Sequence, residues 1–223
     1  MNPITWQLVK KDWHFNKLPM FGYAILGAVA LALINLASGT SFLIGSILLI
    51  TVVVTVGIHL VFVTVIYERS KQTLPMIMSL PITFMQYTRA KMIANIGVFT
   101  LAWLILVAGA VSIILSHEVI PDGMLPFSLI VLGELFVANI LILAVAMISE
   151  SEAWTIVVMA ICNVCISIFM FFIKSFPAIG DHVAGPAAVW NNTVTTAIAL
   201  EAIAVVALIA LTFFAQSRKN DYL

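Results

Sequence analysis

Apolar residues in this chain run in long blocks rather than in alternation. Six blocks stand out, over residues 20–37, 42–67, 92–115, 127–148, 153–173 and 194–215. A membrane-spanning helix needs about 20 mostly apolar residues, whereas a spanning strand needs only about 10 of alternating polarity. Each block therefore predicts a helix, because a bilayer offers no water to satisfy an open backbone. Ahead of the first block, Gln7, Lys10, Lys11 and His14 share one stripe at helical spacing. Trp6, Val9 and Trp13 form a neighbouring stripe, and Asp12 interrupts the rest of the apolar surface. This pattern predicts a short N-terminal interfacial helix, with tryptophans at headgroup level and lysines reaching outward. The first block has no convincing cleavage site and reads as a retained anchor.

Two connections are long. Residues 68–81 begin charged, turn apolar and are punctuated by Pro75 and Pro81, which suits a short helix across the membrane surface. Residues 175–193 carry Pro177, Gly180, Gly185 and Pro186 among Phe176, Val189 and Trp190. So apolar a segment predicts short re-entrant or interfacial helices rather than a solvated loop. No internal repeat stands out, and residues 1–223 read as one all-α membrane domain.

Composition sharpens the picture. The chain is 63% hydrophobic and 9% charged, against about 25% charged in soluble domains. Those figures exclude a soluble globular fold and a disordered chain. Ten basic and ten acidic residues cancel, leaving no net field to attract nucleic acid. Two cysteines make no disulfide scaffold. The basic residues also set an orientation. Lys10, Lys11 and Lys17 precede the first block; Arg69, Lys71, Arg89 and Lys91 lie between the second and third; Arg218 and Lys219 follow the sixth. Only Lys174 falls on the other side. By the positive-inside rule both termini are cytoplasmic, with a bacterial cytoplasmic membrane as the expected location.

Catalytic patterns are missing. His117-Glu118 opens like a zinc-protease motif, but Pro121 stands where the second histidine belongs. No G-x-S-x-G elbow occurs. Gly22 and Gly27 have P-loop spacing, yet Ala28 and Val29 replace the lysine and hydroxyl residue. Cys162 and Cys165 are spaced as C-x-x-C inside a block, where cysteines serve as small apolar residues. No catalytic residue, metal ligand or cofactor of this chain's own is expected. Polar groups inside the blocks are the better candidates, because they are costly there. Glu134 and Glu201 each lie seven residues from the outer start of a block, about 10 Å deep at the helical rise. His59 matches the depth of Asn95, and Asn139 and Asn163 both fall near mid-depth. Glu134, Glu201, His59, Asn139 and Asn163 are candidates for a translocation path. The alternative is interhelical hydrogen bonding that only holds the bundle together.

The inner connection carries a recognisable pattern. Glu68-Arg69, then Lys71 and Thr73, then Met78-Ser79-Leu80-Pro81-Ile82-Thr83, then Arg89-Ala90-Lys91 resembles the E-R-x-x-G-T…L-x-S-L-P-[IV]-[ST]…x-[AG]-K segment of ABC-2 type permeases. These are the membrane subunits of type II ABC exporters. Lys10-Lys11-Asp12-Trp13 stands where that family has a Lys-Asp element in an N-terminal interfacial helix, and Gln72 replaces a glycine common in the motif. The motif covers about 25 residues, while the six-block layout resembles the family throughout. The resemblance implies that residues 68–81 form a cytoplasmic coupling helix. Glu68, Arg69, Lys71, Thr73, Leu80 and Pro81 would dock there on a separate ATPase subunit, present in two copies and holding the ATP and Mg. A second six-span permease subunit would complete a homo- or heterodimer, moving an amphipathic or hydrophobic substrate by alternating access. A non-ABC channel or secondary transporter using the intramembrane carboxylates is the other reading, ahead of an intramembrane enzyme or assembly factor.

Overall fold

A computed structural model describes residues 3–71 and 83–218. The described residues contain no strand, and six helices are long and apolar enough to cross a membrane. These are α1 (Pro3–Asn35), α2 (Gly39–Ser70), α3 (Phe84–Ser116), α4 (Met124–Ser149), α5 (Glu152–Ser175) and α7 (Asn192–Ser217), with a one-turn helix α6 (Pro177–Gly180) between the last two. Each helix contains one of the six apolar blocks, except that the first block runs on to Ala37, beyond the end of α1. The protein is an all-α integral membrane protein.

The helices run past the ends of most blocks. The interfacial segment is no separate element: Trp6 to Trp13 are early turns of α1, which continues through Pro19. At 33 residues α1 is about 50 Å long, well beyond a hydrocarbon core of about 30 Å, so one end must project from it. Trp6 and Trp13 are exposed as expected, and the Lys10 ammonium lies 5.9 Å from the Trp6 ring. Helix α3 also starts early. Thr83 and Gln86 form a reciprocal capping box that satisfies the first backbone donors, which brings Arg89 and Lys91 into the helix rather than the connection.

Helices α1 and α2 form a tight antiparallel pair. Ala37 turns the chain at φ 50° and Ser38 caps α2 by accepting from the Ser41 amide. A Cβ on Gly45 would lie 2.8 Å from the Ala30 carbonyl oxygen and the Ile34 amide nitrogen, both rigid backbone. A Cβ on Gly22 would meet nothing within 4 Å. Gly45→Ala is therefore expected to destabilise the chain by about 1–3 kcal/mol, the usual result of overpacking. Gly22→Ala is expected to be neutral or mildly stabilising. Titrating both variants with SDS in mixed micelles checks the pair, and equal midpoints would contradict the close approach.

The centre of the bundle is α4, packed by α2, α3, α5 and α7. Phe99 packs on Phe136, and the Trp103 indole donates to the Leu132 carbonyl at 2.8 Å, pinning α3 to α4. Helices α5 and α7 lie at the margin, where few of their residues are fully buried and Phe171, Val206 and Phe214 are exposed. Lipid solvates such surface well, so helix association here rests on packing and polar links rather than on the hydrophobic effect.

The start of α1, the end of α2, the start of α3 and the ends of α4 and α7 gather at one end of the bundle, joined by polar contacts. This is the charged end. At the far end, His117 meets Asn35 at 2.9 Å and the Gly123 amide donates to the Gly185 carbonyl. The apolar segment after α5 folds there into α6 and a series of turns.

Candidate functional site

Two polar features lie at different depths. The first, at the charged end, is built from three helical stripes at i, i+4 spacing, which places their side chains on one face of each helix. Helix α1 supplies Asp12 and Asn16, α2 supplies Thr64 and Glu68, and α3 supplies Tyr87, Lys91 and Asn95. A π-turn over Phe62–Ile66 precedes Glu68; such a turn shifts the residues after it around the helix axis.

Lys91 is the hub. It is 0% exposed and places its ammonium 2.8 Å from Asp12 Oδ2 and 2.7 Å from Glu68 Oε1. Lys11 also contacts both carboxylates, bonding Glu68 Oε1 and standing 3.4 Å from Asp12. The Tyr87 hydroxyl donates to Glu68 Oε2 at 3.1 Å. Below it, the Asn95 amide donates to Thr64 Oγ1 at 2.7 Å and to the Lys91 carbonyl at 3.0 Å. Two cations face two carboxylates, so charge closes within the cluster. Closure matters, because an unpaired charge at this burial costs several kcal/mol.

Arg69 extends the network. Its Nη1 donates to the Ala146 carbonyl at 2.8 Å and its Nη2 lies 4.0 Å from Glu150, so it caps the C-terminal end of α4. Gln216 of α7 caps the same end through the Met147 carbonyl. The charged stretch expected to face a cytosolic partner is thus turned inward at two of its residues. Glu68 is buried because Lys91 and Tyr87 need an acceptor, and Arg69 is turned to α4 because helix-end carbonyls need donors. Lys71 is exposed, with its ammonium 5.5 Å from the Tyr67 ring. Thr73, Leu80 and Pro81 lie outside the described residues. Lys11 and Asp12, expected on an interfacial surface, are likewise drawn inward, whereas Lys10 and His14 stay exposed.

The second feature is a cavity of about 650 Å³ between α4, α5, α6 and α7, in the far half of the bundle. Glu134 and Glu201 both line it, so the two carboxylates placed at one depth by counting residues are neighbours in space. Gly133 permits this: a Cβ there would fall 2.0 Å from Glu201 Oε2. Glu201 Oε1 is buried and has no hydrogen-bond partner among the described residues. The rest of the wall is mainly apolar, with Phe169, Phe172 and Phe176 from the α5 side and Leu200 from α7.

The other path candidates sit apart from this cavity. Asn139 and Asn163 share a void of about 20 Å³ with Cys162, room for about one water. Asn163 donates to the Met159 carbonyl at 2.8 Å, and Asn139 Oδ1 lies where a Cβ on Gly57 would collide. His59 packs edge-on against Tyr23, with ring centroids 5.5 Å apart. Its similar depth to Asn95 brings no hydrogen bond between the two among the described residues, and the Asn95 amide is committed to Thr64 and Lys91. Both cysteines are free, and no group of three metal-ligating side chains occurs among the described residues. The chain matches no family model, no curated protein and no solved structure.

Proposed function

We propose that this chain is the membrane subunit of an ATP-driven exporter of the ABC-2 permease type. The observation that carries the reading is the buried cluster at the base of residues 71–83. Glu68 stands on one limb of that connection and Lys91 on the other, and Lys91 bonds both Glu68 and Asp12 of α1. A push on the connection would therefore move α1, α2 and α3 together, which is what coupling to a separate ATPase requires. In this reading Lys71 and the connection beyond it, with Thr73, Leu80 and Pro81, meet the ATPase. Glu68 and Arg69 transmit from behind instead of touching it. Two ATPase copies hold ATP and Mg, and a second six-span subunit packs on the uncovered faces of α5 and α7. The charged end faces the cytosol of a bacterial cell, with both termini inside, because the basic residues concentrate there. The Glu134–Glu201 cavity belongs to the outer half of the path.

Purifying the chain from its native membrane tests this. A P-loop ATPase is expected to co-purify, and a cysteine at Lys71 is expected to cross-link to it. A stoichiometric complex without such a subunit would sink the reading. Orientation has its own check. With Cys162 and Cys165 replaced by alanine, a cysteine at Ser70 is expected to resist a membrane-impermeant maleimide in intact cells and to react after lysis. Labelling in intact cells would invert the topology.

A second reading is favoured by the carboxylate pair itself: a secondary transporter driven by an ion gradient. Transport by the chain alone in proteoliposomes, with a gradient and no ATP, would select it.

A further inference from the structure

We propose that the cavity between α4, α5, α6 and α7 is a binding site for a lipophilic protonated amine. Its volume of about 650 Å³ falls within the usual range of small-molecule sites, about 300–1,000 Å³. The lining has a graded chemistry. Asn192, Thr193 and Thr196 give a polar side near the start of α7, the phenyl rings give an apolar wall, and Glu134 and Glu201 stand deeper along their helices. Among the described residues no lysine, arginine or histidine lines it.

Each part of that lining selects against another ligand. A carboxylate in apolar surroundings attracts a cation more strongly than it would in water and repels an anion. Buried Glu201 Oε1 has no donor among the described residues, so an N–H-bearing cation satisfies an atom that a purely apolar guest, such as an acyl chain, would leave unpaired. Phe172 and Phe176 stack edge to face at 4.9 Å, and such rings favour both an aromatic body and a nearby cation. Gly133 keeps the Glu201 carboxylate against α4. This deepens the permease reading by naming a substrate class for its path, but binding by the isolated chain does not depend on any ATPase.

The test uses two fluorescent probes of one shape, 9-anthracenylmethylamine and 9-anthracenylmethanol, titrated onto the full chain in nanodiscs, with empty nanodiscs as the partition blank. Saturable binding of the amine at least tenfold tighter than the alcohol is expected. Glu201→Gln is expected to remove that preference while leaving alcohol binding and the thermal midpoint unchanged. Ala204→Phe, which fills the cavity without touching a charge, is expected to abolish binding of both probes. Equal affinities for amine and alcohol would mean a lipid-chain groove and overturn the proposal. So would an amine preference that survives Glu201→Gln, or no saturable binding of the amine. Repeating the titration in phosphatidylethanolamine and phosphatidylglycerol identifies the amine's source. Competition confined to the first lipid assigns the site to an amine headgroup, and no competition assigns it to a free amine. An ATPase that co-purifies with a chain showing no amine preference would leave the permease reading standing and end this one.

Discussion

Lys91→Met is expected to destabilise the chain by about 3–5 kcal/mol, the usual consequence of removing one partner from a buried ion cluster. Lys91 is fully buried and, among the described residues, is the only lysine within 3 Å of Asp12. Without it, two carboxylates at the charged end share Lys11, whose side chain is 34% exposed and so contributes less in a more screened position. Methionine keeps the length and apolar stem, so the loss reports charge rather than packing. Adding Glu68→Gln should recover most of it. The double variant leaves Asp12 facing Lys11, and neutral replacement of a buried pair is often close to neutral in stability. Asp12→Asn should rescue as well, because it leaves Glu68 with Tyr87 and Lys11. An SDS or thermal titration of the wild type, Lys91→Met, Glu68→Gln and their double variant closes the cycle. If Lys91→Met alone unfolds at the original midpoint, the lysine is not the hub described here. The rescued double variant then serves function. On the permease reading it is expected to fold but to transport less per ATP, because the two limbs of the connection no longer share a bond.

That cluster shows where sequence reading reached and where it stopped. The six crossings were legible because block hydrophobicity is a local property, and α2, α4, α5 and α7 extend only a few residues beyond their blocks. Lys91 was not. A lysine near prolines and other charges reads as connection, and the partners that allow its burial stand 79 and 23 residues away. A local signal did exist in the i, i+4, i+8 stripe of Tyr87, Lys91 and Asn95, which marks one polar face of a helix. The Thr83–Gln86 capping box was a second clue that α3 begins before the apolar block. Equal depth of Glu134 and Glu201 followed from counting at the helical rise. Their adjacency needed the packing of α4 on α7, for which Gly133 is the sequence trace. Depth without packing misleads, as His59 shows: it matches Asn95 in depth and packs on Tyr23.

On the permease reading, Glu134→Gln with Glu201→Gln is expected to cut transport at least tenfold while leaving assembly and stability nearly unchanged. Tenfold corresponds to about 1.4 kcal/mol of lost stabilisation along the path, a modest demand on two carboxylates in an apolar wall. Glutamine preserves size and hydrogen bonding, so a purely structural role survives the change. The structural reading has a definite form here. Glu201 would hold α7 to α4 across Gly133, where its carboxylate occupies the space of a side chain. Glutamine fills that space equally well, and burying a neutral amide is easier than burying a carboxylate. Stability should therefore hold or rise if packing is the whole role. Transport should fall only if the negative charge meets the cargo. The single variants separate the two positions. Glu201 has a buried oxygen without a donor among the described residues, so its replacement should carry the larger part of the loss. Transport at the original rate in the double variant would return both carboxylates to holding the bundle together. Gly133→Ala gives the converse control. It displaces the tip of the Glu201 side chain without altering charge, so on the permease reading it lowers transport, with stability little changed because that flexible side chain can swing aside.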